Sequence, residues 1–234
     1  MSAGRRVALV SGANRGIGAA IAERLAADGW QLSVGARQPE TIAASFRAGG
    51  ALLHRFDALD PTSEAAWVET TAARFGRIDA IINNAGVMIP KSVIEASDAD
   101  LDAILGVNVK SPLRLVRAAW PLLKASGNGR VVTIVSLSGK RVKSARAGLY
   151  AVSKFAALAL AHAIRHAGWE EGIRSTAICP GFVATEMARS LTKADMSAVT
   201  QPADIARIVA LLLDLPNSAS IAEIPINWTL EDGV

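Results

Sequence analysis

The stretch SGANRGIG, residues 11–18, places three glycines and an arginine between an apolar run, VALVS, and an Ala-rich amphipathic segment, GAAIAERLAADG. The run is typical of a buried strand and the segment of a helix, so the glycines lie on the turn between them. Glycines there let the backbone approach a phosphate, and the free amides at the helix start favour an anion. The spacing is GxxxGxG rather than the commoner GxGxxG. The turn indicates a nucleotide site, although glycine can also be needed there for steric reasons alone.

Six further runs rich in β-branched residues follow VALVS, separated by Ala- and Leu-rich segments. They are QLSVGA (31–36), LLHRF (52–56), AIINN (80–84), RVVTIVS (130–136), RSTAICP (174–180) and AEIPINW (222–228). Strands that alternate with helices predict right-handed βαβ units around a parallel sheet. Because no Gly-, Ser- or Pro-rich linker or repeat divides the chain, we predict one α/β domain, 1–234, with a doubly wound parallel sheet of about seven strands.

Length and composition limit the class of protein. The 234 residues, 51% hydrophobic, suffice for one sizeable core. The start MSAGRR lacks the apolar segment of a signal peptide, and no uncharged apolar stretch is long enough to cross a membrane, so we expect a cytoplasmic protein with no membrane partner. The net charge of +4 is dispersed and aromatic residues are few, so we expect no nucleic-acid partner.

Neither a metal site nor a disulfide is expected. The one cysteine, Cys179, has no second cysteine to pair with and is predicted to be a small buried hydrophobe. His162 and His166 lie one helical turn apart, but they lack the carboxylate of an HExxH motif and predict no metal site.

Two arginines indicate which dinucleotide the glycine turn binds. About 20 positions after the glycines, an acidic residue binds the ribose hydroxyl of NAD, whereas an arginine accommodates the 2′-phosphate of NADP. Here that position is Ala36, followed by Arg37, and Arg15 lies inside the turn, within reach of the same phosphate. With no competing carboxylate, two guanidinium groups predict NADP(H) as the cofactor. The alternative is that both are ordinary surface arginines.

The sequence resembles the short-chain dehydrogenase/reductase family over nearly its whole length. Seven motifs occur in the family's order: SGANRGIG (11–18), FDALD (56–60), NNAG (83–86), VNV (107–109), IVSLSG (134–139), YAVSK (150–154) and CPGFVATEM (179–187). The resemblance implies a Rossmann-like fold with a cofactor-binding half at about 1–130 and a catalytic and substrate half at about 131–234. It also implies a mobile lid over the substrate at about 186–200.

Tyr150 and Lys154 provide the acid that reduction of a carbonyl requires. Hydride transfer to a carbonyl needs an acid that protonates the developing alkoxide. Tyrosine, with a pKa of about 10, is too weak for this unless a nearby cation shifts it. Lys154 follows Tyr150 by one helical turn on the same face, which places an ammonium to stabilise the phenolate. We therefore predict Tyr150 as the proton donor.

The resemblance implies the roles of the other site residues. Ser136 would orient the substrate oxygen, Asn108 would hold a water that connects Lys154 to solvent, and Lys154 would also bind the nicotinamide ribose. Ser138 is the alternative to Ser136, because the segment from Ser136 to Tyr150 is one residue longer than the family's commonest spacing. Ser136 is favoured, since the glycine after it then falls in the family's register. The implied cofactor-binding residues are Gly12, Asn14, Arg15, Gly16, Ile17, Gly18, Arg37, Asp57, Asn84, Gly86, Tyr150, Lys154, Pro180, Gly181, Val183 and Thr185.

The predicted function is NADP(H)-dependent interconversion of a carbonyl, either ketone or aldehyde, and an alcohol, on a small-molecule substrate that no motif identifies. One alternative is an NAD-dependent alcohol or polyol dehydrogenase working oxidatively; the other is a non-catalytic NADP-binding sensor. The helix YAVSKFAALALAHAIRHAGW (150–169) is apolar around most of its circumference, so we expect a homodimer or homotetramer. We also expect Trp228 to cover the core after the last strand.

Overall fold

The computed structural model of the chain describes residues 4–230. In this part of the chain seven strands form one parallel sheet in the order β3-β2-β1-β4-β5-β6-β7, which confirms the predicted fold class. The strands are β1 (Val7–Ser11), β2 (Gln31–Ala36), β3 (Leu52–Arg55), β4 (Ala80–Asn83), β5 (Arg130–Ile134), β6 (Arg174–Pro180) and β7 (Glu223–Ile226). The strand order reverses between β1 and β4, and open sheets of this kind bind ligands at the carboxyl ends of the strands beside that point.

Helices cover both faces of the sheet. One face carries α1 (Gly16–Ala27), α2 (Ala44–Ala48) and α8 (Pro202–Asp214), and the other carries α3 (Ser63–Phe75), α5 (Ser111–Ala125) and α6 (Gly148–Gly168). Two shorter helices, α4 (Asp98–Leu105) and α7 (Glu186–Arg189), follow the loops after β4 and β6.

Alternate residues of each strand build two hydrophobic cores. In β1, Ala8 and Val10 belong to the core shared with α1 and α8, whereas Val7 and Leu9 belong to the core shared with α3 and α5. All five residues of β1 are buried, as expected of a central parallel strand covered on both faces. This packing fixes the level at which each strand ends, and so determines where the polar side chains after the strands meet.

The structure corrects several expectations in detail. The predicted bounds of the strands hold to within two residues, but the helix predicted from Tyr150 begins at Gly148. The expectation for Trp228 is wrong, because this side chain is 37% exposed. It follows β7 at the edge of the sheet, where a residue has a neighbouring strand on one side only.

Within residues 4–230, one helix is long and apolar enough to cross a membrane by length and composition, namely α6 with its preceding turn, Ala145–Gly168. The sequence criterion passed over this segment because Lys154 and Arg165 interrupt it. Its inner face buries Ala157, Ala161 and Ile164 in the core beside the sheet. Covering the sheet therefore accounts for much of its apolar character.

Candidate active site

The glycine turn between β1 and α1 has the shape that a phosphate site requires. Gly12, with φ of +67°, and Gly16, with φ of +56°, have left-handed backbone conformations that other residues rarely adopt. A Cβ atom at Gly18 would collide with the carbonyl oxygen of Gly12 and with Nδ2 of Asn84. Arg15 precedes α1 without capping it through its side chain, so the first amides of the helix face the turn. This cradle fits the pyrophosphate of a dinucleotide.

Asn84 holds the glycine turn from the neighbouring strand. Its Nδ2 donates to the carbonyl oxygens of Ser11 (2.9 Å) and Gly12 (3.2 Å), and its backbone N–H donates to Ser11 Oγ (3.0 Å). Ser11 Oγ also accepts from the N–H of Ala85 at 3.0 Å. Sequence reasoning listed Asn84 as a cofactor-binding residue and missed Ser11, whose buried position at the end of β1 is the signal that identifies it.

Arg15 is not free of competing carboxylates, contrary to the sequence expectation. Its guanidinium forms an ion pair with Glu186, the first residue of α7, and both side chains are largely exposed. The two residues are 171 positions apart in the chain, so no local pattern predicts the pair. Glu186 is therefore a site residue that sequence reasoning missed.

Arg37 follows the buried Ala36 at the end of β2 and is exposed. The adjacent loop is tied to the glycine turn, since Asn14 Nδ2 donates to Thr41 Oγ1 at 3.2 Å. Ile17, on the first turn of α1, packs against the core. Arg37 thus stands at the strand end where an adenosine ribose lies in dinucleotide folds.

The loop after β6 closes against the glycine turn. The N–H of Gly181, which follows Pro180, donates to the carbonyl oxygen of Ile226 at 2.8 Å, and Val183 is buried and bridges Thr200. A cleft of about 320 Å³ lies at this junction, lined by Gly16, Ala184, Thr185, Glu186 and Arg189. These residues are positioned to border a dinucleotide that extends from the glycine turn.

Two predicted cofactor residues, Thr185 and Asp57, bond locally. Thr185 Oγ1 accepts from the N–H of Ala188 at 3.3 Å and caps α7, while a Cβ at Gly16 would lie 3.2 Å from its methyl group. Asp57 Oδ1 accepts from the N–H of Leu59 at 3.0 Å. Their predicted contacts with the cofactor remain predictions.

Asn108 lies in a π-helical turn, Gly106–Lys110, that joins α4 to α5. Such turns often occur at functional sites because they re-aim a side chain. Asn108 Nδ2 donates to the carbonyl oxygen of Val87 (3.0 Å) and to Ser153 Oγ (2.9 Å), and its Oδ1 accepts from the N–H of Val87 (2.9 Å). Ser153 Oγ donates to the carbonyl oxygen of Tyr150 at 2.7 Å. Asn108 is thereby connected to the backbone of Tyr150 through Ser153, a buried residue that sequence reasoning missed.

Ser136 is placed against Tyr150 by a loop that presses on α6. The Ser136 hydroxyl hydrogen-bonds to the phenol of Tyr150 and also accepts from the N–H of Ser138 at 3.1 Å. A Cβ at Gly139 would lie 2.7 Å from the carbonyl oxygen of Lys154, so only glycine allows this approach. Of the two candidate serines, Ser136 is the one that the structure brings to Tyr150.

Lys154 is buried in this site and Tyr150 is partly buried, and this burial shifts their pKa values in opposite directions. The Nζ of Lys154 donates to the carbonyl oxygen of Ile134 (2.9 Å) and lies 5.6 Å from the centre of the Tyr150 ring. Burial lowers the pKa of Lys154 to about 8. Burial also raises the pKa of Tyr150 to about 12, although the hydrogen bond from Ser136 lowers it. The protein groups alone therefore keep the phenol protonated.

Gly86 lies beside both Asn108 and Lys154. A Cβ on Gly86 would be 3.4 Å from Asn108 Oδ1 and 3.7 Å from Lys154 Nζ. Asn108, Ser136, Tyr150 and Lys154 are thus brought together next to the NNAG turn, at the carboxyl ends of β4 and β5. The predicted water beside Asn108 and the ribose contact of Lys154 remain predictions.

The geometry and the sequence comparison identify the family. Residues 6–196 match the family described as short chain dehydrogenase. The chain therefore belongs to the short-chain dehydrogenase/reductase family, which is a family of oxidoreductases.

Known proteins similar to this chain are of the same class. Agropine synthesis reductase from Rhizobium rhizogenes is 41% identical over 218 residues, which cover 92% of this chain and 50% of that protein. This chain thus spans about half the length of that relative. The structure of an alcohol dehydrogenase from the archaeon Thermococcus sibiricus, complexed with 5-hydroxy-NADP, superposes with a TM-score of 0.87 at 28% identity, over 98% of this chain and 99% of that one. A metagenomic short-chain oxidoreductase in complex with NADP gives 0.82 at 30% identity, over 99% and 100% of the two chains.

Tyr150 is the only tyrosine in the sequence, so its ionisation can be measured directly. We expect the tyrosinate absorbance of the protein without cofactor to stay low at pH 10, where a solvated tyrosine is half ionised, and to rise only towards pH 12, because burial disfavours the phenolate. Ser136→Ala should raise the midpoint further by removing the hydrogen bond that stabilises the phenolate. Tyr150→Phe is the blank, and a midpoint at or below 10 in the folded protein would mean that burial does not control the ionisation of Tyr150.

Proposed function

We propose that the protein is an NADP(H)-dependent reductase that interconverts a carbonyl and an alcohol on a small-molecule substrate, with Tyr150 as the general acid and base. The observation that carries this proposal is the hydrogen bond between Ser136 and Tyr150 beside the Lys154 ammonium. These groups stand at the strand ends next to the glycine cradle, so a substrate at Tyr150 would adjoin a dinucleotide held by Gly16 and Thr185.

The roles of the side chains follow from this arrangement. When bound, the cofactor supplies the hydride in reduction and, in its oxidised form, a positive charge near the phenol. Ser136 donates to the substrate oxygen and orients it, and Tyr150 delivers a proton to that oxygen as charge develops. Lys154 stabilises the phenolate that remains, and Asn108 holds the π-turn and the start of α6 in place through Ser153.

Burial keeps the phenol of Tyr150 protonated in the protein without cofactor, and the protonated phenol is the form that donates a proton in reduction. We propose reduction as the working direction. Agropine synthesis reductase is by its name also a reductase, which supports this direction. The presence of all four catalytic residues counts against a non-catalytic sensor.

The preference for NADP(H) rests on Arg37 and on the lack of a carboxylate at Ala36. Two of the similar structures contain an NADP compound, which supports the same preference. Arg15 also contributes to this preference, but the 2′-phosphate must compete with the carboxylate of Glu186 for its guanidinium. An exposed ion pair of this kind is worth only about 0–1 kcal/mol, so a phosphate can displace it.

The function is tested by following oxidation of NADPH and NADH with a panel of ketones, aldehydes, β-ketoacyl thioesters and quinones. We expect turnover that prefers NADPH, and Tyr150→Phe should lower kcat by about 10²–10⁴-fold because the proton donor is lost. Glu69→Ala, at an exposed position of α3 outside the site, tests for nonspecific effects of substitution. Turnover that survives in Tyr150→Phe would refute the assigned mechanism.

Cofactor preference is tested by substitution at three positions. Ala36→Asp with Arg37→Ala should reduce the ratio of kcat/KM for NADPH over NADH by about 10–100-fold, because a charged hydrogen bond is worth about 1.5–3 kcal/mol. Glu186→Gln should lower KM for NADPH by about two- to fivefold and leave KM for NADH unchanged, because it frees Arg15. An unchanged ratio in the double variant would mean that Arg37 does not select the cofactor.

We further propose that the protein is a cytoplasmic homo-oligomer that associates through α5 and α6. The outer faces of these helices expose Leu113, Val152 and Phe155, each more than 40% accessible. Exposed apolar side chains on adjacent helices are typical of an interface between subunits.

The oligomer is tested by sedimentation velocity. Phe155→Asp should shift the protein to a smaller species, because an interface core excludes an unpaired carboxylate. Leu59→Asp, at an exposed leucine outside these helices, should leave the sedimentation coefficient unchanged. A wild-type protein that sediments as a monomer at micromolar concentration would contradict the proposal.

A further inference from the structure

A group of three charged or titratable side chains lies behind the active site and takes no part in the chemistry described above. Glu223 on β7 accepts from Lys140 Nζ through Oε2 at 2.5 Å, and its Oε1 pairs with His162 Nε2 at 2.6 Å. Lys140 ends the serine loop, residues 136–140, and His162 lies on α6. The two oxygens of one carboxylate thus bind the two elements that carry the catalytic residues.

The three side chains of this group are partly buried. The side chains of Lys140 and Glu223 are 22% and 24% exposed, and that of His162 is 36% exposed. The pKa of Glu223 is lowered, first by the hydrogen bond from Lys140 and also by that from His162, so the carboxylate stays ionised. Charge-assisted hydrogen bonds between partly buried side chains hold those side chains in place more firmly than exposed ion pairs do.

The serine loop has other anchors besides Lys140. Before the loop, the N–H of Val135 continues the sheet through a hydrogen bond to the carbonyl oxygen of Ile178 (2.8 Å), and next to Lys140, Gly139 packs closely on the α6 backbone at Lys154. Cys179 lies beneath the loop: its thiol interacts with the backbone of Ser136 and with the charge of Glu223, and burial raises its pKa to about 11. Glu223 is therefore close to the underside of the catalytic serine.

We propose that Glu223 is a positioning residue for catalysis, which clamps the serine loop to α6 through Lys140 and His162 and so fixes Ser136 against Tyr150. This inference rests on the proposed function, because it assigns Ser136 and Tyr150 a common task. It gives the edge strand β7 a role beyond its backbone pairing with β6. Small displacements of orienting groups remote from the chemistry are known to cost up to about 10²-fold in rate.

The first measurement needs no substrate. Tyrosine labelled with ¹³C at Cζ gives one resonance, from Tyr150, whose pH titration reports the phenol in the folded protein. Glu223→Gln should raise the midpoint by about half a pH unit or more, roughly threefold in the ionisation constant, because Ser136 drifts from the phenolate it stabilises. Loss of the negative charge of Glu223 would by itself lower the midpoint. The direction of the change in midpoint therefore distinguishes a displacement of Ser136 from a direct effect of the lost charge. The groups that face Tyr150 are Ser136 and Lys154, and the thiol of Cys179 faces Lys154.

Two variants serve as controls for this titration. Glu171 also accepts from two donors, Trp120 and Lys124, at a distance from the serine loop, so Glu171→Gln makes the same chemical change elsewhere. Ser220→Ala removes a hydrogen bond from Arg165 that ties α6 to the segment before β7 without involving the loop. Both variants should leave the Tyr150 midpoint unchanged.

The second measurement separates positioning from stability. In Glu223→Gln we expect kcat for the panel compound that the wild type reduces fastest to fall about tenfold, with the Kd for NADPH within about twofold, because the glycine cradle lies on other elements. Lys140→Met should have the same effect, and the double variant should be no worse than either single one, since both cut one link. Thermal unfolding is recorded for every variant.

The outcomes distinguish the inference from the function on which it rests. A Tyr150 midpoint that is unchanged or lowered in Glu223→Gln, or raised equally in Glu171→Gln, overturns the inference. A loss of Tm with the midpoint and kcat retained also overturns it, because Glu223 would then be merely structural. If no panel compound is reduced, or Tyr150→Phe stays active, the proposed function fails, and the titration still decides whether Glu223 positions Ser136.

Discussion

Lys154 places an ammonium group in the protein interior, and the arrangement of the site depends on stabilising it there. The side chain is buried, and its Nζ donates to the carbonyl oxygen of Ile134 at the end of β5. A buried cation without such partners loses its charge, and burial here already lowers its pKa to about 8. The end of β5 must therefore lie beside Lys154 on α6, and this arrangement also brings Ser136, two residues after Ile134, beside Tyr150. Gly139 makes this possible, because a larger residue would hold the serine loop away from α6.

The same burial makes the neutral phenol the resting form of Tyr150. Desolvation opposes the phenolate and the ammonium alike, so the pKa of the tyrosine rises while that of the lysine falls. The sequence alone indicated only the cation beside the phenol and hence a lowered pKa for Tyr150. Spacing along a helix shows that two side chains share a face, but it does not show how far that face is removed from water. In this protein, the burial of Tyr150 has a larger effect on its pKa than the charge of Lys154 has, until a further positive charge reaches the site.

Much of the fold follows from local pattern, and much of the site from motifs that the fold brings together. The seven apolar runs predicted the seven strands to within two residues, because buried parallel strands are continuous hydrophobic segments. The glycine turn was predicted because its steric requirement is local: Gly12 and Gly16 adopt conformations that few other residues allow. Asn84 was predicted only as a cofactor-binding residue. That its side chain braces the glycine turn could not be predicted, because the partner of an amide depends on the neighbouring strand.

Contacts between distant segments could not be predicted from a single sequence, and the Arg15–Glu186 pair shows why this matters. Arg15 was assigned to a phosphate by its position in the turn, but the fold brings Glu186 to it from the start of α7, in the catalytic half of the chain. The pair does not exclude the phosphate, because two exposed side chains gain little from each other in water. A dianionic 2′-phosphate offers more acceptor oxygens and charge to a guanidinium than one carboxylate does. Exchange of partners at Arg15 would release Glu186 at the start of α7, so phosphate binding at Arg15 would free a residue of the segment that the family resemblance predicts to be the lid.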